Sequence, residues 1–431
     1  MQRHIKIAPA IIAFSLRKST MFLLLVVVLC KPLLGLDDFS VRQSIIIINP
    51  LSFNRTNEII AVERNVLDKV SSHLFPSIKK NNDILVTQLI DKNGNGTWDV
   101  LLVEVSLAAN STDTLQLHWI KKEAQVQQLN LTNVRLSLRS GNNIPSPEIY
   151  TTKRSRGFTQ NIAQPYYQME GPGLENDKVA FRAFFDSRNG KDIYGKIVDT
   201  PVLDTVGVGA SWHNLQPWGM DILKVGNSLG AGALAVEENE KIYRLADADT
   251  TVFQSLYEGA LQAGFQLRFK NWDVGTGRQN GSETMSVSKG DFYYKNDIAV
   301  SLGANQNLVA GIAHFGTDSL VYKKHNAVFS SISVYGKQAE GTMTHLGLAI
   351  MFCTTDYVAN KTADTASVIP NTAYVALKPV DNKKKFIYFF ACWENTDDRF
   401  KTQQGFEDYL QTTAGLLANP IQIKIIPNNL L

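Results

Sequence analysis

Residues 165–196 read PYYQMEGPGLENDKVAFRAFFDSRNGKDIYGK, and the run 178–186 inside them decides the fold. In a β-strand successive side chains point to opposite faces. Val179, Phe181, Ala183 and Phe185 then share one apolar face, and Lys178, Ala180, Arg182, Phe184 and Asp186 share the other. Pro172-Gly173 just upstream is a turn signal, which sets Glu170, Glu175 and Asp177 on a loop at the mouth of the strand. The polar face has two readings. It is a solvated face carrying ordinary ion pairs, or a face that binds carboxylate or hydroxyl groups, with Arg182 as the fork-shaped anion ligand.

The same period recurs outward from this run. Phe265, Leu267 and Phe269 face one way, and Gln266, Arg268, Lys270 and Trp272 the other. Further strand-like runs lie at 299–302, 308–315, 328–335, 345–353, 372–377 and 385–393. So many strands at short spacing predict a large sandwich or barrel. One helical stripe stands out at 404–417, with Phe406, Tyr409, Leu410 and Leu417 on one side; Asn419-Pro420 stops it and a last strand comes after. Towards the N-terminus, 44–48, 59–66, 84–107 and 114–120 read as strands, with a short helix near 66–74. They suggest a small antiparallel sandwich. Residues 136–164 lack periodicity and read as a linker or strap. The expected division is a leader over 1–35, an N-terminal β-sandwich with its linker over 36–150, and a larger β domain carrying the site over 151–431. The fold class is mainly all-β with few helices.

Arg17-Lys18 precede the apolar run 21–30, and Lys31-Pro32 break it. A basic region before a short apolar run is the pattern of a signal peptide. The run is well under the roughly 20 residues of a spanning helix. The mature chain would begin near Leu36 and work outside the cytoplasm, periplasmic or extracellular, with no stable membrane span. Lys+Arg of 43 against Asp+Glu of 40 gives a net charge of +3. That near balance argues against nucleic acid as a partner. Cys30 leaves with the leader. Cys353 and Cys392 sit in strand-like runs, as buried free thiols or as one disulfide between neighbouring strands. No CxxC or Cys/His cluster points to structural zinc.

The chain lacks a P-loop and HExxH. Gly226, Gly230 and Gly232 in GNSLGAG read as turns or close strand packing. His213 stands between Trp212 and Trp218 and is a candidate general acid or base, or a loop histidine. Trp212 and Trp218 are stacking walls for a sugar ring, or core residues. Asp221 and Lys224 come next on a strand, where they flank a pocket or pair with each other. Trp393-Glu394 ends the penultimate strand, and Glu394 is a second acid–base candidate. His118, His314, His325 and His345 read as structural. The turn Asp91-Lys-Asn93-Gly-Asn95-Gly-Thr-Trp-Asp99 has oxygens at alternate positions, as a calcium loop does. Leu102 stands where a bidentate Glu would close an EF-type loop, and the asparagines equally suit a plain turn.

Three stretches carry a resemblance: MEGPGLENDKVAFRAFFDSRNGKDIYGK at 169–196, WGMDILKVGNSLGAGALA at 218–235 and YFFACWENTDDRFKTQQGFEDYL at 388–410. They resemble the hallmarks of a secreted Bacteroidetes family, domain-of-unknown-function family 4861, often found in polysaccharide-utilisation clusters. The resemblance implies a fold similar to the galactose-mutarotase-like β-supersandwich. It supplies no catalytic residues. The combined expectation is a carbohydrate-active enzyme acting on acidic, uronate-containing oligosaccharides. Arg182 and Lys178 hold the carboxylate, His213 is acid or base with Glu394 or Glu170 as partner, and Asp186, Trp212, Trp218, Asp221, Lys224 and Trp393 surround the substrate. Lyase, epimerase or mutarotase, and glycosidase chemistry all remain open. The alternative is a non-catalytic carbohydrate-binding or structural protein. Calcium at Asp91, Asn93, Asn95 and Asp99 is the one cofactor considered.

Overall fold

A computed structural model describes residues 39–426, apart from 69, 72, 162, 316–318, 365 and 380–384. The leader read over 1–35, with Cys30, lies outside the described residues.

The protein is mainly β. One five-stranded sheet runs in the order Gln422–Ile426, Phe39–Ile48, Thr112–Lys121, Leu74–Lys80, Asp83–Ile84. A three-stranded sheet runs Arg55–Glu63, Val100–Leu107, Thr87–Ile90. Alternation turns Ile45, Ile47, Leu115, Leu117 and Trp119 of the first towards Ile60, Val62, Leu101, Val103 and Val105 of the second, and they share one core. The last strand pairs with the first, Ile425 opposite Ile45. The helix expected near 66–74 is instead a single 3₁₀ turn, Arg64–Val66, ahead of the strand Leu74–Lys80. Leu74, Pro76 and Ile78 alternate inward, so burial at a period of two prevails there.

The larger β-supersandwich starts from a nine-stranded antiparallel sheet. Its order is Val321–Lys324, Phe329–Lys337, His345–Cys353, Lys385–Trp393, Tyr293–Val300, Gly277–Ser288, Gln262–Val274, Ala248–Tyr257, Thr151–Ser155. Two further five-stranded sheets share its core. One is Lys241–Arg244, Ala231–Glu238, Gln306–Ala313, Thr372–Leu377, Tyr357–Thr362. The other is Gly219–Asp221, Lys191–Lys196, Val179–Ala183, Gly173–Glu175, Asn133–Arg135. Phe181, Ile193, Ile222, Leu234, Phe265, Tyr294, Ile312, Leu348 and Phe389 meet in that common core. Phe389, Ala391 and Trp393 point into it, whereas Phe390 and Cys392 point out of the opposite face. Helix α1 (Gln403–Ala418) covers that outer face with Phe406, Leu410 and Ala414. Thr402 caps it by accepting from the Gly405 N–H at 3.1 Å.

Cys353 and Cys392 are free thiols. Their strands are neighbours, but Cys392 lies opposite Gly347, six residues from Cys353. At the strand rise that is roughly 20 Å, too far for a disulfide. The glycines of GNSLGAG serve close packing: Gly230, at φ +65°, sits against the Lys191 carbonyl where no Cβ fits.

All five residues of Val179–Ala183 are buried. Val179, Phe181 and Ala183 join the common core. Ala180 turns to a second, smaller core with Met169, Tyr194, Val202, Leu203 and Val206, against which Trp212 and Trp218 pack. The predicted alternation therefore holds over Val179–Ala183, where the strand ends; Phe184, expected on the polar face, joins the common core with Phe185, and the polar face is roofed by residues 198–218 rather than solvated.

Candidate functional site

Ladder register builds the floor of the site. Asp192 lies opposite Arg182, and Asp221 opposite Tyr194, so all four side chains share one face. Arg182 is 3% exposed. Its Nε and Nη2 donate to Asp192 Oδ2 at 3.1 and 2.5 Å, and Nη2 also to Asp221 Oδ2 at 3.0 Å. Nη1 donates to Tyr194 Oη at 2.9 Å and stands 3.6 Å from Glu170 Oε1. The guanidinium lies 5.0, 5.2 and 5.4 Å from the rings of Phe184, Tyr194 and Trp212. Burial, and then the charge of Asp192, hold the Asp221 carboxyl well above the usual range, with Arg182 opposing. Burial likewise raises Asp192 against the pull of Arg182. Two buried acids on one cation titrate as a pair.

Beside this floor Arg188 grips Asp186 through Nε and Nη2, at 3.0 and 2.6 Å, and its Nη2 also meets Glu170. Met169 and Glu170 both adopt positive φ, +57° and +63°. Consecutive left-handed non-glycine residues store strain that surrounding contacts must hold. Here Gln160 does so, donating to the Glu170 carbonyl at 2.7 Å and accepting from the Tyr167 N–H at 3.0 Å. The roof is pinned by two buried side chains. Gln168 Nε2 donates to the carbonyls of Leu203 and Val206 at 3.1 and 2.7 Å. Glu175 accepts the N–H groups of Val202 and Leu203, each at 2.9 Å, and pairs with buried Lys196 at 2.9 Å.

Beside this roof opens a cleft of about 730 Å³, lined by Arg139, Asn143, Gln164, Gln168, Trp212 and His213 among others. The His213 side chain is 60% exposed, with Nδ1 3.7 Å from Asp221 Oδ2. That is ion-pair range rather than a formed hydrogen bond. Catalytic hydrogen bonds are often this long before a ligand closes them. Arg139 is exposed on the wall, and among the described residues its guanidinium has no acid or hydrogen-bond acceptor.

Of the residues singled out by sequence, the structure gathers Arg182, Glu170, Asp186, Asp221, Trp212, Trp218 and His213 around this floor. Trp218 packs edge-on against Tyr194, centroids 5.9 Å apart. The position of Arg182 differs from expectation: it lies under the cleft and is spent on carboxylates, so it orients Asp221 instead of meeting an anion from solvent. Four other residues sit elsewhere. Lys178 pairs with Asp177 at 3.1 Å. Lys224 Nζ stands 4.7 Å over the Phe315 ring. Trp393 is buried, its Nε1 donating to Thr344 Oγ1 at 2.8 Å and its ring against Gly195. Glu394 meets His345 Nδ1 at 2.6 Å, not His213. Sequence reasoning names Tyr194 as a weaker candidate and missed Asp192, although their alternate spacing marks one strand face. It also missed Arg139, which sits in an aperiodic stretch without a local signal.

The loop 91–99 closes on its own backbone. Asp91 accepts from the N–H groups of Gly94 and Gly96, both at 2.7 Å. The Asn93 and Asn95 side chains accept from the N–H groups of Asn95 and Thr97, at 3.1 and 2.8 Å, and Asp99 from that of Lys92 at 2.8 Å. Those of Asn93 and Asn95, two residues on, are Asx-turn bonds. Among the described residues no group of three or more His, Cys, Asp or Glu is placed to hold a metal ion.

The chain belongs to the family described as Domain of unknown function (DUF4861), whose model matches residues 47–423. A relative, "Uncharacterized protein P7" of Formosa agariphila, is 22% identical over 419 residues, covering 90% of this chain and 94% of its own. An alpha-mannosidase from Enterococcus faecalis V583 is similar over 89% of this chain and 46% of its own, with a TM-score of 0.46 and 8% identity. A Glycosyl Hydrolase Family 38 protein from Enterococcus faecalis is similar over 89% and 47%, with a TM-score of 0.47 and 9% identity. The chain thus spans about half the length of these two solved chains.

Proposed function

We propose that the cleft binds an acidic oligosaccharide and that His213, backed by Asp221, moves a proton on it. The observation that carries this reading is a single constellation. An exposed imidazole stands 3.7 Å from a buried carboxylate, beside a tryptophan and an arginine that has no acid partner among the described residues, on the wall of one cleft. The arginine supplies a fork for a sugar carboxylate. This moves the anion-binding role from Arg182 and Lys178 to Arg139. Trp212 offers an apolar face to a pyranose ring. A bound carboxylate acidifies the neighbouring C–H, and His213 is the group placed to take or return that proton, while Asp221 steadies the imidazolium. In a lyase loss of that proton is followed by elimination of the glycosidic oxygen and in an epimerase by its return to the other face, whereas in a glycosidase His213 would protonate the glycosidic oxygen instead; product analysis separates them. The same reading places the protein outside the cytoplasm, on the strength of the basic and apolar pattern at 17–35.

The test is turnover and binding on a panel of neutral and uronate-containing glycans. His213→Gln should lower turnover about 10²–10⁴-fold while binding persists. Arg139→Ala should weaken acidic glycans by roughly tenfold and leave neutral ones unchanged. Wild-type protein that binds acidic glycans yet converts none of them would leave a non-catalytic binding protein.

A further inference from the structure

Two arginines lie close in the fold, Arg188 held by the carboxylates of Asp186 and Glu170 and Arg244 held by main-chain carbonyls alone. Arg244 ends the strand Lys241–Arg244 and is half-buried. Its Nη2 donates to the main-chain carbonyls of Asn227 and Ser228, each at 2.7 Å. Carbonyls are dipoles and leave the charge uncompensated. Among the described residues Arg244 has no carboxylate partner, and its Nε and Nη1 have no acceptor. A half-buried guanidinium normally finds an anion.

Its neighbour is Arg188. Asn189 Nδ2 donates to the Leu245 carbonyl at 2.9 Å, tying the turn that carries Arg188 to the end of the strand that carries Arg244. Burial, and then the like charge of Arg188, lower the Arg244 pKa to about 10. Arg188 spends Nε and Nη2 on Asp186 and Glu170, and its Nη1 has no acceptor among the described residues. The carboxylate grip, and the Phe184 ring 4.2 Å from its guanidinium carbon, hold that side chain in place. Its side chain is 38% exposed, so the free edge is open to solvent. Lys224, also exposed and without an acid partner among the described residues, precedes the turn whose carbonyls Arg244 binds.

We infer that Arg188 and Arg244 together form a binding site for an oxyanion group: a carboxylate, a sulfate or a phosphate. The site is preorganised, because each arginine is fixed by bonds that do not involve the ligand. Its free N–H groups belong to two guanidinium forks, which match the paired oxygens of such anions. Neither arginine lines the His213 cleft, although Arg188 shares Glu170 with Arg182 beneath it, and the inference does not depend on the chemistry assigned there.

Phenylglyoxal labelling of the intact protein, read residue by residue by mass spectrometry, tests this directly. Sulfate, phosphate and glucuronate are each titrated against chloride at constant ionic strength. At least one should protect Arg244 and raise the melting temperature. Protection by glucuronate alone would identify a saccharide carboxylate as the natural group, and protection by sulfate or phosphate an inorganic or ester oxyanion. Arg244→Gln should lower the affinity for the protecting anion about tenfold or more. Arg188 is left intact, since its removal strands Asp186 and Glu170. Equal labelling of Arg244 in chloride and in all three oxyanions overturns the inference, whether or not the Gln variant folds. Unchanged affinity in a folded Arg244→Gln protein overturns it too. Neither result bears on His213, whose loss is read as turnover on glycans.

Discussion

Replacing Arg182 with Met should be among the most costly single changes in the molecule. The guanidinium is 3% exposed and touches Asp192, Asp221 and Tyr194 at 2.5, 3.0 and 2.9 Å. Methionine keeps much of the volume and removes the charge. Two acids, each no more than 3% exposed, then face each other without a counter-ion. Stranding buried charge in this way costs about 3–5 kcal/mol. In a chain of this size that is a fall in Tm of roughly 3–6 °C. The defect should also depend on pH. Both carboxyl pKa values are raised by burial even with Arg182 present, and lose their opposing pull without it. An acid whose folded pKa exceeds its unfolded value of about 3.9 loses stability as pH rises through that window, by up to about 1.36 kcal/mol per pH unit and group. The variant should therefore sit closer to wild type at pH 5 than at pH 8 in urea unfolding. Adding Asp192→Asn should return part of the loss. A defect below about 1 kcal/mol, or one equal at both pH values, would refute a buried counter-ion beneath the cleft.

The roof of the site should respond to its own buried pair. Glu175→Gln leaves Lys196 charged in a fully buried place and weakens the hold on Val202 and Leu203, so unfolding should cost about 3–5 kcal/mol less; hydrogen exchange should quicken across 198–212, and an unchanged exchange pattern would contradict the pinning role. Asp291 has its pKa raised to about 7, chiefly by burial. Its folded value lies above the unfolded one, so it should erode stability as pH climbs from about 4 to 7; Asp291→Asn should flatten that decline in a pH series of melts, and an identical slope would count against it.

Much of the scaffold is legible in the sequence because strand periodicity is a local property. The alternation of Val179, Phe181 and Ala183 against Ala180 and Arg182 survives intact, as do the helix after Thr402 and the strand beyond Pro420. Charges and tryptophans also crowd into the segments that build the site, so its neighbourhood is legible too. Partnership is not. Glu394 and His213 both suit proton transfer, yet the ladder that sets Leu346 opposite Trp393 brings His345 to Glu394 instead. Alternation places Arg182 on a polar face, and nothing local announces that residues 198–218 fold over it.

By itself, then, the sequence determined the strands, their inward faces, the lone described helix and the stretch that carries the polar cluster. Only the tertiary structure decided that Arg182 lies beneath the cleft, that Asp221 stands behind His213, and that Arg139 on the cleft wall has no acid partner among the described residues. The physical reason is range. Side-chain alternation is set by the backbone of neighbouring residues, whereas the identity of a charge's partner depends on strand order, register and the loop that closes above it.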